Sequence, residues 1–161
     1  MQKKLVLLFD SLRDPRDLAQ MIHLGLAADV EIELTGSSIA PTHQKVINII
    51  DSWVLNFRDN QKLAHVKVHS DFEKRIIALK KQGYKIIGTS PDAGENFFDC
   101  DFSKGKNVIV FGTETSGLSK EKMSLMDKMV KVPMKNGTKF FTISTIAPVF
   151  AYSALKQKGL I

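Results

Sequence analysis

The sequence is poor in cysteine and has no long apolar run. Its single cysteine, Cys100, rules out an internal disulfide framework and a cysteine-cluster metal site. No apolar run approaches the roughly 20 residues that cross a bilayer. The stretch LVLLF near the N-terminus is too short for a secretory signal, so it is interpreted as a strand. We therefore expect a protein of the reducing cytoplasm that uses neither a membrane nor a metal ion.

The excess of positive charge permits two interpretations. The chain carries 23 Lys and Arg against 17 Asp and Glu, a net charge of +6. Such a charge can serve solubility alone, or it can attract a polyanionic partner such as nucleic acid. A length of 161 residues with 43% hydrophobic residues predicts one packed domain, spanning residues 1–161. Repeats and low-complexity tracts are absent from the sequence.

Strand-like and helical patterns alternate along the chain. Six short apolar runs rich in β-branched residues predict strands at 4–10, 30–36, 64–70, 84–90, 107–112 and 129–134. Asp14, Pro15 and Asp17 occupy the N-cap, first-turn and N3 positions of the first helical pattern. Ser70 and Glu73 predict a capping box for a later one. The alternation predicts an α/β fold with a mostly parallel sheet and helices on both faces.

Two features interrupt this alternation. Residues 93–106 show neither period and are expected to form a surface loop. Pro148 lies inside the last helical pattern, where it should kink the chain or delay the start of the helix.

Three predicted strands end in loops of small residues: GTSPDAG, FGTETSG and PMKNGTKFF. In open parallel sheets, ligands bind outside the carboxyl ends of the strands. None of these loops is a Walker-type phosphate loop or a dinucleotide fingerprint. Glycines allow close approach of backbone amides, so we expect a ligand such as an adenine with its ribose rather than a triphosphate.

Three segments together resemble the motifs of a known family. They are FDSLRDPRDLAQMIHLGLA at 9–27, VIVFGTETSGLS at 108–119 and VPMKNGTKFFTISTIAPVFAYSAL at 132–155. Their order and spacing are similar to those of the SpoU/TrmH family of the SPOUT superfamily. That family methylates RNA ribose 2′-hydroxyls with S-adenosylmethionine. The resemblance implies a C-terminal deep trefoil knot, an exception to the rule that chains avoid threading loops.

The resemblance also implies partners and binding residues. It implies a homodimer that binds S-adenosylmethionine and acts on RNA, tRNA in particular. The cofactor contacts implied by the motifs are Thr89, Ser90, Phe111, Gly112, Glu114, Gly117, Val132, Met134, Phe141 and Ile143. Five cations flank the first and third motifs and are expected to hold RNA phosphates: Arg13, Arg16, Lys131, Lys135 and Lys139. The sequence shows no separate RNA-binding domain, so we expect a small RNA target or help from the dimer partner.

The chain departs from the family at two motifs. The first motif usually carries an Asn and, six residues later, an Arg treated as the catalytic group; here these are Asp17 and His23. The third motif usually reads Ser-Leu-Asn-Val-Ser, and here it reads FFTIS, which places Phe140 and Thr142 at the first Ser and the Asn. Methyl transfer requires removal of the hydroxyl proton, a task that suits a neutral imidazole. His23 is therefore a candidate base.

Glu114 and Ser144 match the family unaltered. The predicted catalytic set is His23, Glu114, Ser144, Asp17 and Thr142. Each of three members has a structural alternative: His23 as a surface or supporting histidine, Asp17 as a first-turn acid, and Glu114 as an exposed loop acid. Phe140 and Phe141 could stack on a base or an adenine, or belong to the core.

Three functional hypotheses follow. The first is an S-adenosylmethionine-dependent RNA 2′-O-methyltransferase of tRNA or rRNA. The second is a SPOUT-fold protein that binds RNA or cofactor but lacks transferase activity, because three motif residues are replaced. The third is a flavodoxin-like or receiver-like α/β binding module, which would have no knot and would bind no S-adenosylmethionine.

Overall fold

The computed structural model describes residues 4–55, 57 and 63–161. Within them, seven strands form one sheet in the order β3-β2-β1-β6-β4-β7-β5, and every neighbouring pair is parallel. The strands are β1 (Lys4–Asp10), β2 (Glu31–Thr35), β3 (Val66–Val68), β4 (Tyr84–Thr89), β5 (Glu95–Asn96), β6 (Lys106–Phe111) and β7 (Lys128–Lys131). The helices are α1 (Pro15–Ala28), α2 (Gln44–Asp51), α3 (Phe72–Lys81), α4 (Lys120–Met123) and α5 (Ile143–Lys158).

Helices cover both faces of the sheet, as predicted. Successive side chains of a strand point to opposite faces. Leu7 and Phe9 of β1 accordingly pack in one apolar cluster with α1, α2 and α5. Val6 and Leu8 pack in a second cluster with α3 and the partly buried methionines around α4. The central strands are joined on the first face by the stacked rings of Phe9 and Phe111, whose centroids lie 4.9 Å apart. The predicted α/β class with a parallel sheet is confirmed.

Helix starts follow the sequence signals with two corrections. Asp14 caps α1, and its carboxylate accepts the backbone N–H of Arg16 at 2.7 Å and of Asp17 at 3.1 Å. The predicted Ser70 cap is wrong by one residue, because the carboxylate of Asp71 accepts the Lys74 N–H at 3.0 Å instead. The predicted delay at Pro148 is also wrong: α5 begins at Ile143 and continues through the proline.

The segment 93–106 is not simply a surface loop, which corrects the sequence prediction. It contains β5 and a 3-10 turn, Phe97–Asp99. Phe97 and Phe102 are fully buried, and the Phe97 ring meets the Phe150 ring of α5 edge-on at 4.1 Å. Aromatic burial therefore fixes this segment, although its apolar residues follow no regular spacing.

The strand order brings the carboxyl ends of β4, β6 and β7 side by side. β6 lies between β1 and β4, and β7 lies beyond β4. After β7 the chain returns across the sheet, so that α5 packs against α1 and β1. Among the described residues, no helix is both long and apolar enough to span a bilayer. The loops after these three strands therefore lie at one edge of the sheet.

Candidate active site

The loops that follow β4, β6 and β7, together with the start of α5, line one cavity of about 450 Å³. All ten residues predicted to contact the cofactor lie in its wall: Thr89, Ser90, Phe111, Gly112, Glu114, Gly117, Val132, Met134, Phe141 and Ile143. The structure thus gathers residues that span more than fifty positions of sequence into one place. Their role in binding stays a prediction.

The loop after β6 explains its two glycines. A Cβ added to Gly112 would lie 2.2 Å from the carbonyl carbon of Gly117, so only glycine permits this backbone crossing. Thr113 and Gly117 exchange two backbone hydrogen bonds, of 3.1 and 2.9 Å, and Gly117 has a φ of +66°. The loop therefore closes tightly on itself and holds Glu114 at its exposed tip.

The loop after β4 is anchored by hydrogen bonds to β6 and β7. The Thr89 hydroxyl donates to the Val110 carbonyl at 3.0 Å, and the Ser90 N–H donates to the Val130 carbonyl at 3.0 Å. The apolar wall behind these loops includes Phe111 and Phe150, whose rings meet edge-on at 5.6 Å. The cavity floor is therefore part of the packed core.

Two phenylalanines lie at the cavity mouth. Phe140 is 65% exposed and Phe141 is 44% exposed, although both line the cavity. Exposure of this degree excludes a core position for either ring. Stacking on a base or an adenine stays a prediction for both.

The polar part of the cavity is formed by Asp17 of α1, Glu114, and Thr142 at the N-cap of α5. The Thr142 hydroxyl lies 3.3 Å from the Ser144 hydroxyl oxygen and 3.0 Å from that of Thr145. The contact with Thr142 holds Ser144 at the edge of the cavity. The structure therefore brings four of the five predicted catalytic residues together.

The pKa values of the two carboxyl groups in the cavity wall are both raised. Burial is the main cause that raises the pKa of Asp17, followed by the charge of Asp14, while hydrogen bonds with Ser144 and Glu114 oppose the shift. Burial also leads the causes that raise the pKa of Glu114, followed by the charge of Asp17. Because Glu114 lies at an exposed loop tip, the effect of burial on it is partial.

His23 is the predicted catalytic residue that the structure does not bring to the cavity. It is exposed on α1, and its ring centroid lies 5.8 Å from that of Trp53. Six residues of α-helix separate it from Asp17, a rotation of about 240° around the helix axis. The two side chains therefore leave α1 in different directions, and a role for His23 as the base stays a sequence prediction without geometric support.

The five predicted RNA-binding cations differ in their position relative to the cavity: one lies in its wall, two lie in an adjoining loop, and two lie at the start of α1. Lys131 is in its wall. Lys135 and Lys139 are exposed in the loop between the lining residues Met134 and Phe140. Arg16 and Arg13 are exposed at the start of α1, and the charge of Arg16 acts on Asp17. Their contact with RNA stays a prediction.

Sequence reasoning missed several lining residues. Ile146 and Phe150 follow Ile143 at helical spacings of three and seven, so the period of α5 could have identified them. Asp92 lies in the GTSPDAG loop, from which the predicted contacts were Thr89 and Ser90. No local signal marks Met123, which reaches the cavity from α4 through tertiary packing.

Comparison with known proteins agrees with this arrangement. The model of the SpoU rRNA Methylase family matches residues 4–152. The chain belongs to this family. Its membership excludes the flavodoxin-like or receiver-like interpretation. A curated relative, a tRNA (guanosine(18)-2′-O)-methyltransferase of Thermus thermophilus, is 24% identical over 162 residues, covering 98% of this chain and 77% of the relative.

Solved structures share the fold. The SpoU methyltransferase AviRb of Streptomyces viridochromogenes has a TM-score of 0.83 at 18% identity, covering 99% of this chain and 62% of that chain. The same enzyme in complex with the cofactor AdoMet has a TM-score of 0.82 at 19% identity, covering 98% and 59%. A structure concerning 2-OH methylation of C/U34 on tRNA has a TM-score of 0.82 at 18% identity, covering 98% and 92%. The chain thus spans about three fifths of AviRb and nearly all of the last protein.

Proposed function

We propose that this SpoU-family protein is an S-adenosylmethionine-dependent RNA methyltransferase that modifies a ribose 2′-hydroxyl, with tRNA as its substrate. One observation carries the proposal. The loops after β4, β6 and β7 converge on a cavity whose polar part holds Asp17, Glu114, Thr142 and the neighbouring Ser144. The names of the curated relatives, which include tRNA 2′-O-methyltransferases, support the reaction and the substrate class.

The cavity fits the cofactor in size and chemistry. A volume of about 450 Å³ lies within the roughly 300–1,000 Å³ typical of small-molecule sites. Apolar walls suit an adenine, and small residues such as Gly112 and Gly117 line the cavity where the β6 loop closes. The carboxyls of Asp17 and Glu114 suit a positively charged sulfur. When bound, S-adenosylmethionine supplies an electrophilic methyl group, while the lining residues hold it and exclude water.

We also infer the trefoil knot from the chain path. Strand β6 inserts between β1 and β4, β7 follows on the far side of β4, and the chain then returns to place α5 against α1. This path and the match to the family support a threaded C-terminal segment. A single domain spanning residues 1–161 is part of the same proposal, because one sheet joins both halves of the chain.

RNA binding and dimerisation complete the proposal. Net charge of +6 and the exposed lysines beside the cavity favour a polyanionic substrate. Val149 and Tyr152 are each 41% exposed on α5, and apolar side chains on a helix surface favour a second copy of the chain as partner. The cytoplasmic location expected from the single cysteine stays a prediction.

Methyl-labelled cofactor and RNA test this function directly. The protein is incubated with RNA from cells that lack it, and the RNA is digested to nucleosides for mass spectrometry. We expect one 2′-O-methylated nucleoside in the tRNA fraction and saturable cofactor binding by calorimetry. Binding without label in any RNA fraction would favour the second hypothesis, a binding protein without activity, which the position of His23 outside the cavity also favours.

A further inference from the structure

We propose that the exposed rings of Trp53 and His23 form a stacking site for an unpaired base of the RNA, outside the cavity. This inference rests on the proposed function, because it takes RNA as the partner of this surface. It gives His23 a binding role, whereas the sequence predicted that its imidazole is the base of the reaction.

Trp53 is a large apolar side chain that the fold leaves in water. It is 45% exposed, although tryptophan is on average a highly buried residue. The ring of His23 is exposed beside it, with the two ring centroids 5.8 Å apart and the ring planes inclined by 48°. The two rings are therefore tilted rather than stacked, and both keep surface that a third planar group can cover.

Regular backbone holds the two rings in place. His23 lies in the middle of α1, and Trp53 follows the last turn of α2, where its N–H donates to the Ile50 carbonyl at 2.8 Å. The two helices pack against each other, and Ile22 and Ile50 are fully buried in the same apolar cluster. Because the backbone under both rings is fixed by this packing, a base that binds them orders few additional groups.

The solvent face of α1 connects these rings with the cavity. Arg16 and His23 are both exposed, and a spacing of seven residues places them on one face of the helix, about 10 Å apart along its axis. Arg16 adjoins Asp17, which lines the cavity. An RNA strand with one ribose in the cavity can therefore follow this face, with a phosphate at Arg16 and a neighbouring base at the rings.

The charge of this surface favours RNA over a protein partner. Arg13 and Arg16 are exposed at the start of the same helix, and the chain has a net charge of +6. Aromatic rings beside cations are typical of proteins that bind single-stranded nucleic acid, because the cations hold the phosphates and the rings stack on the bases. A protein partner would favour a continuous apolar face, but Gln20 and Arg16 precede His23 at spacings of three and seven residues.

Fluorescence tests the site without any need for activity, because Trp53 is the only tryptophan of the chain. The protein is titrated with tRNA from cells that lack it, and filter binding is measured in parallel. We expect RNA to quench the Trp53 emission over the same concentration range in which it binds. Unchanged emission at saturating RNA would overturn the site. Emission that depends on protein concentration alone would show that a second copy covers the rings, and equal quenching by a free nucleoside monophosphate would show a nucleotide site instead; both results would also overturn the inference.

Substitutions test the contribution of the rings to affinity. We expect Trp53→Ala to weaken RNA binding by about 5- to 100-fold, as for loss of one stacked base, while Trp53→Phe keeps most of the affinity. His23→Ala should reduce both the affinity and the quenching. Phe98→Ala is the matched control, because it removes another exposed ring, next to the edge strand β5. An equal loss in this control would contradict a specific site.

Methylation assays separate this inference from the proposed function. We expect Trp53→Ala to raise the KM for RNA more than it lowers kcat, with the affinity for S-adenosylmethionine unchanged. If the wild type methylates RNA while the Trp53 emission does not respond, the stacking site fails and the proposed function stands. If RNA quenches the emission but no RNA fraction is methylated, the proposed function fails and the stacking site stands.

Discussion

The carboxylates buried against the sheet and the carboxylates of the cavity have opposite surroundings. Asp10 is 1% exposed at the end of β1, and Lys122 of α4 places its ammonium nitrogen 2.5 Å from a carboxylate oxygen. Glu33 is fully buried on β2, and the Arg75 guanidinium binds both of its oxygens, with Nε 2.6 Å from Oε2. Each buried anion therefore has a cation from a helix on the same face.

At the cavity, Asp17 and Glu114 instead line the same wall, and the charge of Asp17 contributes to raising the pKa of Glu114. Arg16 is the cation that acts on Asp17, and its effect is the smallest of the five causes that shift the pKa of this group. Each anion of the core is neutralised within the chain, because an unpaired buried charge is costly. The cavity pair retains a raised proton affinity. Perturbed groups of this kind mark functional sites more often than structural ones.

Removing Arg75, the cation of the most buried ion pair, should have the largest effect on the free energy of unfolding. We expect Arg75→Met to lower the free energy of unfolding by about 3–5 kcal/mol, because it leaves Glu33 buried and uncompensated. Urea denaturation measures the change, and Lys74→Met on the exposed face of α3 is the control. A loss equal to that of the control would mean that His69, whose Nε2 lies 3.5 Å from Glu33, can replace the guanidinium.

Breaking the second core ion pair, between Asp10 and Lys122, should lower the stability less. We expect Lys122→Met to cost about 2 kcal/mol, because the lysine side chain is 36% exposed and water can partly screen Asp10. The double variant Asp10→Asn/Lys122→Met should recover most of this loss, since the amide oxygen can still accept from the Thr35 hydroxyl. An equal loss in Lys120→Met would show that the effect comes from α4 packing and not from the ion pair.

The sequence predicted the fold well because its signals are local. Short apolar runs rich in β-branched residues placed the strands of the core, and Asp14 with Pro15 placed the start of α1. The two glycines of the β6 loop follow from two local demands, the lack of space for a Cβ at Gly112 and the positive φ of Gly117. The segment 93–106 was not predictable in the same way, because Phe97 is fixed by contact with a helix fifty residues later.

The site was predicted in its composition but not in its chemistry. Motif spacing gathered the lining residues correctly, yet the direction of a side chain on α1 depends on which face of the helix meets the β6 loop. Asp17 faces that loop and His23 does not. Asp17 and Glu114 are almost a hundred positions apart in sequence and line the same cavity, so only the tertiary structure shows that they share a site.

The exposed lysines beside the cavity can be compared with lysines elsewhere on the surface for their contribution to RNA binding. Lys139 lies exposed next to Phe140, and we expect Lys139→Gln to weaken RNA binding by about fivefold at low salt. Loss of one phosphate contact should also reduce the slope of log affinity against log salt by about 0.7–0.9. Filter binding across a salt series measures both. An equal effect of Lys81→Gln, at the end of α3, would show that net charge alone attracts the RNA.

The smallest predicted change in stability, that of Glu114→Gln in the cavity pair, should have the opposite sign to the changes predicted for the core pairs. We expect Glu114→Gln to raise the free energy of unfolding at neutral pH by about a few tenths of a kcal/mol, because it removes the repulsion while solvent screens an exposed loop acid. Removing a charge from a core pair has the opposite effect. Urea denaturation at several pH values measures the difference between variant and wild type.

The pH dependence follows from the direction of the shifts. The pKa values of Asp17 and Glu114 are raised above their ordinary values of 3.8 and 4.5, so the folded state binds protons more tightly than the unfolded state. The stability that protonation of the pair contributes is complete below those ordinary values and is lost as pH rises through the raised ones. The advantage of Glu114→Gln should therefore vanish at acid pH and grow toward neutrality. A pH-independent difference would mean that the two carboxyls do not interact, and the contrast with Asp10 and Glu33 would then lose its basis.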